Sequence, residues 1–436
     1  MTTAMGAALR RIQLGNALSA FGNGFTVPFL FVYVARVRDL GANTAGVVLA
    51  TFAVAALVVL PFIGRLIDRR GPQSVAVAGA VAAAVGSMGL GLAASEPLVI
   101  AAAGVLGAGM AAIQPALATL IVWCSTPVTR SRAFATQFFL GNLGLGVGGL
   151  LGGLLVDTSA ASSFVRLFAI DAAMFLVLGA AVATVRLKRS LVFDGPVPAA
   201  GEQLGGVGGR RSLLADRAMV QLCVLGFVMF FACYGQFESG LTAFAVDVAR
   251  ISPSMLGIAL AANTAAIVLA QFVVLKLVER RRRSRVIALV GLVWTVAWCA
   301  AGAAGLVPGS EAIGITAIIS AYALFGLGEA MLSPTVAPLV ADLAPPSALG
   351  RYNSAFSLVK QLALAVGPAA GGLMAGAGLY GTYITALIGC SLGITALALR
   401  LGKRLTVQQD NPLLAVTGAP VPAPRAAASD EVITAA

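Results

Sequence analysis

The chain has 436 residues, 11% of them charged and 59% apolar, with a mean hydropathy of +0.95. A soluble domain of that size needs far more polar surface, so a water-soluble enzyme or regulator is excluded at the outset. The net charge of +12 does not point to nucleic acid, because no soluble stretch is long enough to carry such a binding domain.

Apolar runs of roughly 20 residues recur along the chain, the length an α-helix needs to cross about 30 Å of hydrocarbon. Twelve spans are read, near 13–36, 42–63, 74–94, 97–124, 133–156, 164–185, 218–246, 254–277, 286–306, 312–340, 352–376 and 379–401. They lack the alternation of membrane-barrel strands, which leaves helices. The polar stretch before the first span is too short for a cleaved signal. Six spans return a chain to its starting side, so the expected organisation is a six-helix bundle over 1–185 and a second over 218–402. Between them, 186–217 carries Gly195-Pro196-x-Pro198 and Gly205-Gly206-x-Gly208-Gly209-Arg210-Arg211, the composition of a flexible linker. The tail, 403–436, is polar and then Pro/Ala-rich, and is expected to be disordered.

A repeat supports the division into halves. Gly107, Gly109, Pro115, Pro127, Arg132, Gly148, Gly152 and Gly153 recur 219 positions later as Gly326, Gly328, Pro334, Pro346, Arg351, Gly367, Gly371 and Gly372. A period this long is too large for a solenoid and fits a duplicated half-molecule. Spans 4–5 thus map onto spans 10–11, and the fold class is an all-α membrane protein of two pseudo-symmetric bundles.

Orientation follows from charge. Of the 29 Lys and Arg, all but Arg36, Arg38, Arg166, Arg250 and Lys360 fall beside segments on the side of the N-terminus. That is the positive-inside pattern, and it places both termini in the cytoplasm of a multi-pass protein in a cell membrane of bacterial type. The run Arg280-Arg281-Arg282-Arg283-x-Arg285 reads as a topology anchor touching anionic lipid. Five cysteines show no metal or redox spacing and there is no histidine, so no metal and no cofactor are expected.

The loop between spans 2 and 3 reads Gly64-Arg65-Leu66-Ile67-Asp68-Arg69-Arg70-Gly71, and Glu279-Arg280-Arg281 echoes its acid-then-arginine order between spans 8 and 9. With twelve spans, this Gly-x-Leu-x-Asp-Arg-x-Gly loop resembles the major facilitator superfamily over about 400 residues. The resemblance implies two six-helix bundles that rock around a central cavity. It implies a gate at Gly64, Asp68, Arg69 and Gly71, with Asp68 pairing with an arginine and facing the start of span 11. Pro72-Gln73 stands where the family usually continues with basic residues. In span 5, Gly144-x3-Gly148-Gly149-x2-Gly152-Gly153 matches the superfamily's antiporter pattern at all but its proline position. Span 11 has the proline, as Gly367-Pro368-x2-Gly371-Gly372. By resemblance this points to the 12-span drug:proton antiporters. As physics, glycines four apart make a flat stripe on which another helix packs closely. Drug-exporting relatives often carry an arginine in span 4 where this chain has Ala103.

An ionisable group at mid-membrane costs about 2.5–3.5 kcal/mol on insertion scales, so each one present wants a reason. Glu329 in span 10, Glu238 in span 7 and Lys360 in span 11 are the proton-coupling candidates. A carboxylate buried at that depth favours its neutral form, binding a proton from one side and releasing it after the cavity turns. Counting outward from the turn near Pro346 puts Glu329 and Lys360 at similar depth, and they are expected to form an ion pair when the site is unloaded. Asp171, with Arg166 nearby, reads as an interfacial anchor. Asn23, Phe29, Tyr33, Gln114, Tyr234 and Gln236 are the substrate-binding candidates, with Phe25, Phe231 and Phe237 as further aromatic wall.

The expected function is secondary active transport, in the form of proton-coupled efflux of a hydrophobic or amphiphilic small molecule such as a drug or antibiotic. The partners are then substrate, protons and membrane lipid, for a monomer. A carrier of a polar metabolite is the alternative. A membrane enzyme would need clustered nucleophile, acid and metal ligands, and a receptor would need a soluble domain to signal with. A primary pump would need a phosphate-binding glycine loop.

Overall fold

The computed structural model of the protein describes residues 3–157, 160–185, 213–237, 239–306 and 311–417. Among the described residues, twelve helices are long and apolar enough to cross a membrane: α1 Gly6–Val37, α2 Gly41–Arg70, α3 Pro72–Leu92, α4 Glu96–Trp123, α5 Arg130–Leu155, α6 Ala161–Ala183, α7 Arg217–Asp247, α8 Met255–Glu279, α9 Arg283–Ala304, α10 Ala312–Leu343, α11 Pro346–Gly376 and α12 Tyr380–Gly402. No strand occurs among the described residues. α1–α6 form one lobe and α7–α12 the other, each with its own apolar core. Residues 186–212 of the linker lie outside the described residues.

The repeat is a packing code. In α4, Gly107 lies on Phe52 of α2 and Gly109 on Ala83 of α3; in α10, Gly326 lies on Asn263 of α8 and Gly328 on Trp294 of α9. The antiporter-type stripe does the same between α5 and α1, where a Cβ on Gly144 or Gly148 would run into the backbone at Ala17 and Phe21. Gly152 meets Phe25 and Phe29, and Gly153 only the edge of Phe29. Gly367 rests on Gly235 of α7 and Gly371 on Gln236 and Gly240, whereas Gly372 has open space beside it. Pro368 sits inside α11 and is exposed.

Both α1 and α7 break past their midpoints. In α1, Pro28 supplies no N–H and a short 3-10 turn replaces the helix at Val27–Phe29. In α7 the turn is Tyr234–Gln236, and Gln236 holds it by donating to the Phe231 and Gly367 carbonyls and accepting from the Tyr383 hydroxyl. Gln236 is therefore a buried structural amide and does not face the cavity.

The tail expectation fails over its first part. Residues 407–410 and 412–417 form the short helices α13 and α14, and the junction between them, Asp410 and Asn411, is bonded to the α8–α9 loop. Asp410 is fully buried, takes hydrogen bonds from the Ser284 amide (2.8 Å) and hydroxyl (2.6 Å), and pairs with Arg282 at 2.7 Å. Asn411 donates to the Glu279 and Arg281 carbonyls. A polar composition reads as disorder only until a partner surface satisfies it.

Candidate functional site

The gate comes first, at the end of the bundle where α2 meets α3, α4 meets α5, α8 meets α9 and α10 meets α11. This is the basic end. α2 runs through the loop signature to Arg70 and stops at Gly71, whose φ of +87° suits glycine. Gly64 lets α11 approach: a Cβ there would come 2.7 Å from the Arg351 Cα. That approach brings Asp68 to the first turn of α11, where it accepts from the Gly350 amide (2.7 Å) and from Arg351 Nε (3.0 Å). Arg69 is exposed. Gln73, in place of a basic residue, donates to the Val182, Ala183 and Val185 carbonyls and ties down the end of α6.

The duplicated loop answers in kind. Glu279 takes Arg132 of the other lobe at 3.2 Å, and Arg132 is the repeat mate of Arg351. Between the two latches, Asp342 at the end of α10 pairs with both Arg130 and Arg283, and Arg283 also donates to Ser131. Two members of the arginine run are thus internal: Arg283 is 2% exposed in the gate and Arg282 holds the tail. Only Arg280, Arg281 and Arg285 of the run remain exposed on the surface. Every hydrogen bond between the lobes that the described residues show lies at the basic end, the remaining two being Asn353 to Thr119 and Ser333 to the Phe134 carbonyl.

Above this seal lies a cavity of about 520 Å³ between the lobes, reaching to mid-depth. Its ionisable lining groups among the described residues are Glu329, Tyr234 and Lys360, all from the second lobe. Glu329 is 4% exposed, and Asn263 Nδ2 donates to its Oε1 at 2.9 Å, with Tyr234 beside it in the cavity wall. Gly326 makes the first contact possible by letting α8 lie against α10. Lys360 faces the Phe230 ring, 5.2 Å from its centroid. Glu329 and Lys360 each lie 14 residues from the basic end of their helices, as counting suggested, and they interact electrostatically. The expected ion pair is not formed among the described residues: Asn263 occupies one carboxylate oxygen of Glu329, and Lys360 lies over the Phe230 ring.

Of the substrate-binding candidates, Asn23, Gln114 and Tyr234 line the cavity and Gln236, Phe29 and Tyr33 do not. Tyr33 is fully buried in the first lobe, stacked on Phe164, with its hydroxyl on the Leu90 and Gly91 carbonyls. Phe29 packs on the α5 glycines. Phe29 lies in the α1 break and Tyr33 past it, and the break rotates the helix face they occupy. Asp171 is no interfacial anchor: it is fully buried between helices and accepts from Ser87 (2.7 Å) and Thr26 (3.3 Å). Glu238 lies outside the described residues. Sequence reading missed the polar lining of Asn16, Gln137, Asn142 and Asn353 and the rings Phe134, Phe138, Phe230 and Phe356. Their positions facing a second helix bundle leave no periodic mark in either half alone.

The sequence model described as Major Facilitator Superfamily matches residues 12–252 and 249–421. The fold is that of the proton:xylose symporter XylE, at a TM-score of 0.74 and 12% identity, covering 95% of this chain and 99% of that one. The human organic anion transporter MFSD10 (TETRAN) aligns at 0.67 and 16%, over 90% and 99%. A bacterial homologue of the iron transporter ferroportin, in an outward-facing state, aligns at 0.70 and 15%, over 91% and 100%. No curated protein matches the sequence.

Proposed function

The chain belongs to the major facilitator superfamily, whose members are transporters, and on that premise we propose that it is a proton-coupled exporter of an amphiphilic small molecule. The observation that carries this reading is the placement of Glu329: a carboxylate at mid-depth, in the wall of a cavity closed at the basic end, taking a hydrogen bond from Asn263 and sharing that wall with one cation, Lys360. Proton binding there cancels the charge that faces Lys360 and loosens the hold of Asn263. Aromatic rings on both lobes suit the apolar part of that substrate, and the amides suit its polar head. The basic end is the cytoplasmic one, because positive charge is retained on that side. The gate then closes the cytoplasmic face, and alternating access consists of breaking it while the far side shuts. Export is supported by the resemblance of the α5 glycine stripe to antiporters.

A carrier of a polar metabolite is the second reading. What favours it is the number of amides, Asn16, Asn23, Gln114, Gln137, Asn142 and Asn353, that line the cavity. Fluorescent-dye accumulation in cells with and without the protein, with and without a proton uncoupler, separates the two. The protein should lower accumulation, the uncoupler should abolish that effect, and Glu329→Gln should lower uncoupler-sensitive export about tenfold or more, as loss of a proton-transfer group does. Uncoupler-insensitive export, or net inward movement, would overturn the proposal.

A further inference from the structure

A second concavity, of about 540 Å³, opens at the basic end between the start of α7 and the end of α12. Four cations line it: Arg217 at the first turn of α7, Arg400 in the last turn of α12, and Lys403 and Arg404 just past its end. None is in an ion pair among the described residues. The one acid beside them in sequence, Asp216, is committed elsewhere: it caps α7 through the Ala218 and Met219 amides and accepts from the Tyr352 hydroxyl at 2.8 Å. Like charges gathered without counter-charge repel one another, and one anion would relieve all four.

The rest of the lining tells what kind of anion fits. Val220, Val224 and Leu397 continue the groove from the cations toward the membrane interior, and Val224 is 49% exposed. Leu214, 82% exposed, stands at its lip. Gln221 donates to the Leu397 carbonyl and joins the two walls. A free phosphate would use the cations alone, whereas a phospholipid uses cations and apolar wall together. Basic pockets between membrane helices on the cytoplasmic side bind anionic headgroups.

We propose that this groove is a binding site for one anionic phospholipid, its phosphate among Arg217, Arg400, Lys403 and Arg404 and an acyl chain along Val220, Val224 and Leu397. The site is remote from the cavity and does not depend on what the cavity carries. Native mass spectrometry of the purified full chain tests it, with phosphatidylglycerol, phosphatidylcholine and soluble glycerol phosphate as probes. Phosphatidylglycerol should bind in preference to phosphatidylcholine. Each removed cation should weaken it about fivefold, the size of one headgroup–cation attraction. The variants are Arg400→Gln with Arg404→Gln and, in case these helix-end changes impair folding, the exposed Lys403→Glu alone. The control is Arg280→Gln, Arg281→Gln and Arg285→Gln, which removes surface charge at the same end and should leave the preferred lipid in place. Equal loss in the control, or no headgroup preference, would show diffuse attraction and overturn the proposal. Binding of glycerol phosphate as tight as that of the lipid would identify a free-phosphate site and overturn it equally.

Discussion

Met110 and Glu329 occupy equivalent positions in the two lobes, line the same cavity, and differ completely in chemistry. Around Met110 the first lobe offers amides, Asn16, Asn23, Gln114, Gln137 and Asn142. Around Glu329 the second offers Tyr234, Lys360 and, behind it, Asn263. Gly107, Gly109, Gly148 and Gly152 and their repeat mates Gly326, Gly328, Gly367 and Gly371 set helix contacts in both lobes, whereas Gly144 has Ala363 as its mate. Duplication thus supplied a symmetric frame, and the charge that can do work was confined to one side of it. The first lobe's own buried acid, Asp171, is turned away from the cavity into a contact among α1, α3 and α6.

That comparison can be broken most severely through the shared frame. Gly148→Leu forces a side chain into the Phe21 backbone, and overpacking of this kind costs about 1–3 kcal/mol or more. Gly372→Leu meets open space and should be tolerated. Thermal unfolding of the two purified variants should show a large loss for the first and little for the second; equal losses would mean the stripe is not read through contact.

The gate offers a sharper contrast, since the duplicated loops carry reciprocal latches of unequal quality. Asp68 is 12% exposed and takes two hydrogen bonds, whereas Glu279 pairs with an Arg132 that is 68% exposed. Loss of a charge-assisted bond costs about 1.5–3 kcal/mol, against about 0–1 kcal/mol for a surface pair. Asp68→Asn should therefore lower transport about tenfold or more, and Glu279→Gln by about fivefold at most. Cysteine crosslinking across the basic end should report the same order. Similar effects would make the two latches equivalent.

The smallest change expected is in pH dependence. Lys360→Met removes the cation that faces Glu329, which makes proton uptake easier and should move the pH profile of transport about one unit toward alkaline values. An unchanged profile would rule out communication across the cavity. It would leave Lys360 as a group that merely faces Phe230.

How much could be seen beforehand depended on whether a feature is local. Spans, halves and gate motif are local or periodic, and their reading needs only hydrocarbon thickness and a repeat. Asp68 was singled out from its loop, and the structure adds which arginine it takes and that Gly64 permits the approach. Tyr33 and Gln236 were misplaced because a broken helix changes which face a residue occupies, and α1 and α7 both break near them. The tail was misread for the same kind of reason, since Asp410 and Asn411 look solvated until the α8–α9 loop is brought alongside.

By itself the sequence determined that this chain is a duplicated bundle of twelve membrane helices, because apolar length and an offset of 219 residues leave no other economical solution. Only the tertiary structure decided which polar groups meet in the cavity, which arginines are internal to the gate, and that Glu329 is held by Asn263 and not by Lys360. The physical reason is that side-chain partnership is fixed by helix rotation and crossing, to which hydropathy is blind.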